Sequence, residues 1–441
     1  MPRRAGAALY CAVSKNLSRR AFAGAVLTPA VLRPAAAREI RIAVLGVGSR
    51  GAEMMRRSLA IPGVRVTAVC DIVEEKATRA QNTVEQMTGA RPAPYTRGPE
   101  DWKSMVERGD VDAVLVMTPQ DQHARQAIHS MNAGKHVGSE TPAAYTVDEC
   151  WALVETKEKT GRRYMLLENY PYSRTRMMVH HMAHRGAFGE VTYGESSYIH
   201  DTRELAYEKD GSLTWRGQLA RRHRGDIYPT HALGPVSLWL GVNRGDRLVT
   251  MVSMDSGTQA LQAYARDRFG AAHAAAQPGF FQKRDRTITL LRSANEKLIV
   301  LRYDSASTRP FGGWESLQGT RGAYDGSPQA ELVYLEGRSR KEGWEPIEKY
   351  RHEFDHPYWR QDGERAVKAG HGGGDYFVLR EFYAALAEDR EPPIDVYDAA
   401  TWSAVLPLSA RSIHEANKPV EIPDFLRGRW KDRPSTGFGL G

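Results

Sequence analysis

The sequence predicts an α/β protein in two parts: an N-terminal unit with a doubly wound parallel sheet, and a C-terminal α+β unit with an open, mostly antiparallel sheet. Two observations lead to this fold class. Up to residue 169, short apolar runs typical of buried strands alternate with helical stretches. From residue 170, runs in which apolar and polar residues alternate are typical of antiparallel strands with one solvated face. The 441 residues suffice for two domains.

The first apolar run ends in a glycine-rich turn. Arg41-Ile-Ala-Val-Leu is followed by Gly46, Gly48 and Gly51, the spacing of the dinucleotide-binding turn of a Rossmann unit. In such a turn the first glycine permits the tight bend, the second lets the backbone approach a pyrophosphate, and the third lets helix and strand pack closely. The phosphates then lie on amides at a helix N-terminus.

Asp71 ends the next apolar run, about 20 residues past the last glycine. A carboxylate there accepts hydrogen bonds from the adenosine ribose and repels a 2′-phosphate. We therefore expect NAD rather than NADP. Arg50 keeps the alternative open, because its guanidinium could pair with a phosphate.

The rest of the first unit, which we place at residues 38–169, follows the same alternation. A strand over 112–118 ends at Thr118, the stretch 134–140 ends at Glu140, and a strand over 163–169 ends at Asn169. Ligands of open parallel sheets bind at the carboxyl ends of the strands. These three residues are therefore expected near the cofactor.

The second unit, placed at residues 170–441, begins with a predicted helix over 175–185. Strand-like runs follow at 190–198, 287–291 and 297–303, and helices return at 376–387 and 398–414. The last of these helices could fold back against the first unit. The open sheet offers a face on which a homo-oligomer could form, an expectation that rests on fold analogy alone.

The pattern of residues 1–37 is typical of a twin-arginine export signal. They contain Ser18-Arg19-Arg20-Ala-Phe22, then an apolar stretch and the small residues Ala35-Ala36-Ala37. We expect cleavage after Ala37 and a periplasmic or secreted protein; the alternative is a merely basic N-terminus.

The formal net charge of +8 lies mostly in residues 1–37, which carry six positive charges and no negative one, so the rest of the chain has a net charge of +2. That balance gives no reason to expect nucleic-acid binding, and no run is long enough to span a membrane.

No metal site is expected. His180, His181 and His184 have helical spacing, but no acidic residue or cysteine completes a ligand set, and a solvated helix face is the simpler interpretation. The three cysteines, Cys11, Cys70 and Cys150, form no disulfide framework.

The motifs together resemble a known superfamily. The glycine turn, Asp71, Thr118-Pro119 with His123, Gly134-Lys-His-Val and Glu140-Thr141-Pro142 are similar to those of the Gfo/Idh/MocA oxidoreductases. Within that superfamily, the downstream motifs resemble glycoside hydrolase family 109, the NAD-dependent α-N-acetylgalactosaminidases. Those motifs are Leu167-Glu-Asn169, Tyr198-Ile-His-Asp201, Trp215-Arg216, Tyr228-Pro-Thr-His231, Asn243-Arg-Gly-Asp246, Arg309-Pro310 and Gly370-His371-Gly-Gly.

The resemblance implies site residues. Besides the glycines and Thr118, it implies NAD contacts from Ser49, Arg50, Asp71, Gln120, Asp121, Gln122, His123, Glu140, Thr141 and Asn169. It implies sugar contacts from Tyr198, Arg216, Tyr228 and His231, with Pro229 and Thr230 between the last two. The chain departs from the related patterns at Thr141, where the dehydrogenases have lysine, and at Phe311, where the family has a tyrosine.

The reaction implied by the resemblance is hydrolysis by transient oxidation. NAD+ takes hydride from C3 of the sugar, a base removes the acidified C2 proton, the C1 group leaves, water adds, and the hydride returns. His231 and Tyr228 are the catalytic candidates, because their i, i+3 spacing aims both at one ligand. The alternative for this pair is a buried cap on the helix that begins near Ala232.

Two other functions stay open at this point: a sugar dehydrogenase of the same fold, and a non-catalytic sugar-binding protein. Export favours the glycosidase, because a cycle that returns its own hydride needs no external NAD pool. Thr141 favours it too, because it offers no ammonium to deprotonate a substrate hydroxyl.

Overall fold

The computed structural model describes residues 39–435 and residue 438. The predicted export signal at 1–37 lies outside the described residues, and the predicted domain limits remain predictions. Over the described residues, no helix combines the length and apolarity that a membrane-spanning segment needs.

The first sheet has six strands, all parallel, in the order β3-β2-β1-β4-β5-β6. The strands are β1 (Ile40–Leu45), β2 (Val64–Cys70), β3 (Ala93–Tyr95), β4 (Ala113–Val116), β5 (His136–Ser139) and β6 (Tyr164–Leu166). The helices between them are α1 (Ser49–Leu59), α2 (Glu74–Thr88), α3 (Trp102–Val106), α4 (His123–Asn132) and α5 (Val147–Thr160). Strands β1 and β4 are almost wholly apolar and buried, as expected for a sheet covered on both faces. The strand order reverses beside β1, which is where ligands of such sheets bind.

The second sheet has nine strands in the order β14-β13-β12-β11-β7-β10-β9-β8-β15. They are β7 (Val191–Ile199), β8 (Leu248–Asp255), β9 (Thr287–Ser293), β10 (Leu298–Asp304), β11 (Glu315–Gly319), β12 (Gly322–Gly326), β13 (Glu331–Leu335), β14 (Glu345–Pro346) and β15 (Val420–Glu421). Neighbouring strands are antiparallel except β7 and β10, which are parallel. The predicted fold class is confirmed in both parts.

The second part has eight described α-helices, some of which lie on this sheet and some of which contact the first part. They are α6 (Arg174–His184), α7 (Trp215–Arg222), α8 (Thr230–Leu240), α9 (Ala260–Phe269), α10 (Arg351–Phe354), α11 (Pro357–Lys368), α12 (Gly374–Ala387) and α13 (Val396–His414). Helix α13 contacts α5 and β6, and α12 contacts α1. Two C-terminal helices thus pack against elements of the first sheet.

Gly194 lets α8 lie close on β7. A Cβ at this position would stand 2.2 Å from the Val236 side chain of α8. The parallel pairing of β7 with β10 places Tyr198 directly beside Tyr303, on the same face of the sheet. The start of α8 and these two tyrosines are thereby brought to one place.

The expected solvated face of α6 is wrong for His180 and His181, and only His184 of the three histidines is exposed. His180 and His181 are buried, and His181 Nδ1 lies 2.9 Å from the Phe354 carbonyl oxygen, with which it forms a hydrogen bond. The expectation failed because α6 packs between α8 and α10. Helical spacing alone cannot show which helices pack around a helix. In the described part of the chain, no group of three or more histidine, cysteine or acidic side chains is placed to hold a metal.

The outward face of the second sheet carries apolar side chains. Met254, Ile288, Leu290 and Leu298 lie on adjacent strands and are each at least 40% exposed. This is the face on which a homo-oligomer is expected, and the oligomeric state stays a prediction.

The glycine turn gives a stability prediction. A Cβ at Gly51 would stand 1.9 Å from the Gly46 carbonyl oxygen, whereas one at Gly48 meets no atom within 4 Å. Gly51→Ala should therefore lower the free energy of unfolding by about 1–3 kcal/mol, the usual cost of overpacking. Gly48→Ala, the matched control, should leave it nearly unchanged. Urea denaturation of both variants measures the difference, and equal stabilities would contradict this account of the turn.

Candidate active site

A cavity of about 860 Å³ lies between the carboxyl ends of the first sheet and the second sheet. Its size suits a nucleotide cofactor together with a small ligand. Twelve of the residues predicted for the site line it: Ser49, Arg50, Thr118, Gln120, His123, Glu140, Thr141, Asn169, Tyr198, Arg216, Tyr228 and His231. The structure thus brings predicted cofactor residues and predicted sugar residues to one place.

Eight predicted residues do not line the cavity. They are Gly46, Gly48, Gly51, Asp71, Asp121, Gln122, Pro229 and Thr230. Asp121 pairs with Arg222 at 3.4 Å, and Thr230 is fully buried. The structure therefore gives no direct contact between the cavity and the side chains of these two residues.

The turn before α1 is built to accept a dinucleotide. Gly46 has a positive φ of 84°, and both it and Gly51 lack room for a Cβ, while the space beside Gly48 is open. The first turn of α1 has no acidic residue and no side-chain cap. Its amides are therefore available to a phosphate, which a helix N-terminus favours.

Asp71 lies at the end of β2 and braces this turn. Its carboxylate accepts hydrogen bonds from the backbone amides of Val47, at 3.0 Å, and Val73, at 2.9 Å. The side chain remains partly exposed. This is the position from which a carboxylate receives the ribose hydroxyls of a bound dinucleotide.

Arg50 is held by two carboxylates. Its Nε lies 2.6 Å from Glu140 Oε1, and its terminal nitrogens lie 2.6 and 2.9 Å from the Asp375 carboxylate. Burial penalises the charged form of Glu140, but the Arg50 guanidinium outweighs this and lowers the pKa of the Glu140 carboxyl. Because Arg50 is paired in this way, a 2′-phosphate would have to displace a carboxylate, which favours NAD.

Asp375 was missed by the sequence reasoning. It is fully buried, and Asn169 Nδ2 also donates to it, at 2.7 Å. The only signal was its place at the end of the glycine-rich motif that begins at Gly370. The residue lies more than 300 positions from Arg50, so the pairing depends on the tertiary fold.

His231 is paired with Glu168, the second residue that was missed. Its Nδ1 lies 2.6 and 2.8 Å from the two oxygens of the fully buried Glu168 carboxylate. An ionised carboxylate only accepts, so Nδ1 carries the hydrogen and Nε2 of the neutral ring is left as a base. Glu168 lies two residues past the end of β6, and His231 lies in the first turn of α8.

Aromatic rings surround the His231 imidazole. Tyr170 stacks on it with centroids 4.0 Å apart and planes 6° apart, and Tyr228 meets it edge-on at 4.7 Å. Tyr198 lies 5.2 Å away. Sequence reasoning missed Tyr170, which follows Asn169 in the chain. These rings limit the access of water to the imidazole.

Tyr228 is a neutral phenol in this setting. Burial raises its pKa well above the ordinary value, and the Glu140 carboxylate adds to the effect. Thr141 Oγ1 donates to the phenol oxygen at 2.8 Å. The phenol hydrogen is therefore the one that Tyr228 can offer to a ligand, and Thr141 fixes its direction.

Tyr198 and Arg216 face the same cavity from the second part. The Tyr198 hydroxyl lies 3.1 Å from His200 Nδ1, and burial lowers the pKa of the His200 ring. The Arg216 guanidinium stacks 4.1 Å above the Trp215 ring. The cavity wall here offers hydrogen-bond donors beside aromatic faces, a combination suited to a sugar.

Two family models divide the chain. One described as the glycosyl hydrolase 109 C-terminal domain matches residues 172–432, and one described as oxidoreductase family, NAD-binding Rossmann fold, matches residues 40–168. A glycosyl hydrolase family 109 protein of Saccharopolyspora erythraea is 39% identical over 89% of this chain and 84% of its own length. A glycosyl hydrolase family 109 protein of Solibacter usitatus is 38% identical over 89% of this chain and 90% of its own length. The chain belongs to glycosyl hydrolase family 109.

Solved structures show the fold that this family 109 chain shares. Levoglucosan dehydrogenase in complex with NADH aligns with a TM-score of 0.69 at 19% identity, over 87% of this chain and 99% of that chain. An oxidoreductase domain protein from Kribbella flavida aligns with a TM-score of 0.68 at 21% identity, over 88% of this chain and 100% of that chain. Together with the NAD-binding family model, these findings confirm the predicted NAD cofactor.

The position of Asp71 gives a binding prediction. Asp71→Ala should weaken NAD binding about 10- to 100-fold, because hydrogen bonds to a charged group contribute about 1.5–3 kcal/mol. Asp121→Ala, at a carboxylate that pairs with Arg222, should bind NAD as the wild type does. Titration of cofactor-stripped protein with NAD measures both, and thermal melting checks the fold. Undiminished affinity in the first variant would remove Asp71 from the cofactor site.

Proposed function

We propose that this chain is a glycosidase that recycles tightly bound NAD+, and that it hydrolyses α-N-acetylgalactosaminides or a closely related glycoside. The observation that carries the proposal is the pairing of His231 with buried Glu168, which leaves the imidazole Nε2 as a base in a cavity that also holds Tyr228. Family membership supports the reaction class. When bound, NAD+ supplies the redox chemistry, in which C3 of the sugar loses hydride and later regains it.

The residues of the chain divide the proton transfers. His231 Nε2 removes the proton from C2, which a ketone at C3 makes acidic, and Glu168 stabilises the imidazolium that results. The Tyr228 phenol donates its hydrogen to the departing C1 oxygen, held in direction by Thr141. Water then adds at C1 and gives a proton back to the Tyr228 phenolate, and the imidazolium returns its proton to C2. No pair of catalytic carboxylates is required, since NAD-dependent glycosidases are an exception to that arrangement.

The rival function is a sugar dehydrogenase. Such an enzyme oxidises a hydroxyl as the proposed glycosidase does, but it needs a fresh cofactor, or a second substrate, for every turnover. Position 141 here is a threonine that donates to Tyr228, whereas the dehydrogenases that the motifs resemble have lysine there. Net oxidation and net hydrolysis give different products and can be separated by experiment.

Turnover in D2O tests the proposal. Protein purified without added NAD should release 4-nitrophenol over many turnovers from the aryl α-N-acetylgalactosaminide, within a panel of other α- and β-glycosides. Deuterium should appear at C2 of the released sugar, because the C2 proton is exchanged at His231. A single stoichiometric burst of NADH without release would instead support the dehydrogenase.

Two variants test the residue roles in the same assay. His231→Ala should lower kcat by about 10²- to 10⁴-fold, the usual contribution of a general base, with bound NAD unchanged. Glu168→Gln should lower kcat by less and shift its pH profile, because the imidazolium loses its carboxylate. Full activity in His231→Ala would show that another group removes the C2 proton.

We infer that residues 1–37 direct export by the twin-arginine route, on the sequence pattern around Arg19 and Arg20. That route carries folded proteins, so the cofactor could be bound before crossing. The double substitution Arg19→Lys/Arg20→Lys should leave the full-length protein in the cytoplasmic fraction, whereas the unaltered protein should appear outside it in shortened form. Equal distribution of the two forms would refute export by this route.

A further inference from the structure

Lys283 is a buried cation in the wall of the same cavity. Its side chain lines the cavity, and the residue is only 5% exposed. Its backbone amide donates to the Ala220 carbonyl oxygen at 2.9 Å, and its own carbonyl oxygen accepts from Thr258 Oγ1 at 3.0 Å. The position of the side chain is therefore fixed by α7 and by the loop before α9.

The Lys283 ammonium has a neutral partner. Nζ donates to Ser305 Oγ, which in turn lies 2.6 Å from the Tyr303 hydroxyl. Among the described residues, no carboxylate lies within 4.0 Å of Nζ. Burial lowers the pKa of Lys283 to about 8, so most of the population keeps its charge at neutral pH. A buried cation without a counter-ion is costly, which makes this arrangement unusual.

The nearest acidic groups are engaged elsewhere. Four aspartates act on Lys283 at longer range, and each has a closer partner. Asp304 pairs with Arg286 at 3.1 Å, and Asp201 accepts from Arg203 at 2.8 Å. The other two accept from backbone amides: Asp285 from Gln259 and Ala260, and Asp226 from Tyr228. None of them takes the place of a direct counter-ion.

The wall of the cavity as a whole also has cationic side chains that lack an acidic partner among the described residues. Its acidic wall residues are matched, Glu140 by Arg50 and Glu53 by Arg57, and the wall cation Arg176 is matched by Glu315. Arg216, like Lys283, has no carboxylate within 4.0 Å in the part of the chain that the structure describes. Two cationic side chains of the wall, Arg216 and Lys283, therefore have no carboxylate partner among the described residues.

We propose that the ligand of this cavity is a glycoside that carries a carboxylate, and that Lys283 is the residue that binds this group. The glycoside rests on the proposed function; the carboxylate rests on the unmatched ammonium. A monoanion suits a single ammonium, which acts as a point charge. Buried apolar wall residues, Leu219 and Leu261 among them, keep the surroundings poorly solvated, and this strengthens the attraction.

The carboxylate could be part of the sugar ring or of the leaving group. Calorimetry on NAD-loaded protein distinguishes the two sources with two pairs of probes. The first pair is N-acetyl-D-galactosaminuronate and N-acetyl-D-galactosamine; the second is the 4-carboxyphenyl and the phenyl α-N-acetylgalactosaminide. We expect the acidic member of one pair to bind at least 10-fold more tightly than its neutral partner. The pair that shows the preference identifies the source.

Substitution of Lys283 completes the test. Lys283→Met keeps the length of the side chain and removes the charge, so the preference should fall to less than 2-fold while the neutral probes bind as before. Lys283→Arg should retain a preference. Lys135→Met is the control, because Lys135 is buried away from the cavity and donates to the Arg108 and Val111 carbonyl oxygens. Thermal melting and bound NAD report on the fold of each variant.

The outcomes separate this proposal from the proposed function. Binding does not require turnover, so a carboxylate preference that depends on Lys283 stands even if no glycoside is hydrolysed. If both acidic probes bind no better than their neutral partners, or fail to bind, the proposal is wrong. It is equally wrong if Lys283→Met retains the full preference, whatever the turnover assay shows.

Discussion

The hydrogen bond between His231 and Glu168 is the contact on which the arrangement of the site depends. Glu168 lies two residues past the end of β6, the last strand of the parallel sheet, and His231 lies in the first turn of the helix that packs on the second sheet. Because the carboxylate is fully buried, leaving it without the imidazole would cost the desolvation of a charge. The contact therefore fixes the start of α8 against β6, and with it Tyr228, whose hydroxyl receives the Thr141 hydrogen.

This contact also assigns different roles to two aromatic neighbours. The carboxylate holds the hydrogen on His231 Nδ1 and leaves Nε2 to accept a proton. Tyr228 lies beside it in a setting that raises its pKa through burial and through nearby negative charge, so it keeps its hydrogen. One base and one donor therefore lie side by side, in the protonation states that the proposed elimination needs.

Local physics explains which parts of the site the sequence could predict. The glycine turn, Asp71 and the strand-end residues follow from short-range rules of strand, turn and helix, and the fold class followed from their alternation. No such rule identifies Glu168, Asp375, Tyr170 or Lys283, because each acts through partners from distant parts of the chain. The expected solvated face of α6 failed for the same reason: helical spacing describes one helix and not what packs around it.

The segment from Ala369 to Asp375 is anchored to α1 at both ends. Arg57 Nε on α1 donates to the Ala369 carbonyl oxygen at 2.6 Å, and Arg50 of the same helix pairs with Asp375 at the other end. Gly372 and Gly374 between these anchors line the cavity next to the start of α1. We expect this anchored segment to slow the release of a dinucleotide from that helix end. Slow release is what a reaction that regenerates its own NAD+ requires, because the cofactor must stay bound between the loss of hydride and its return.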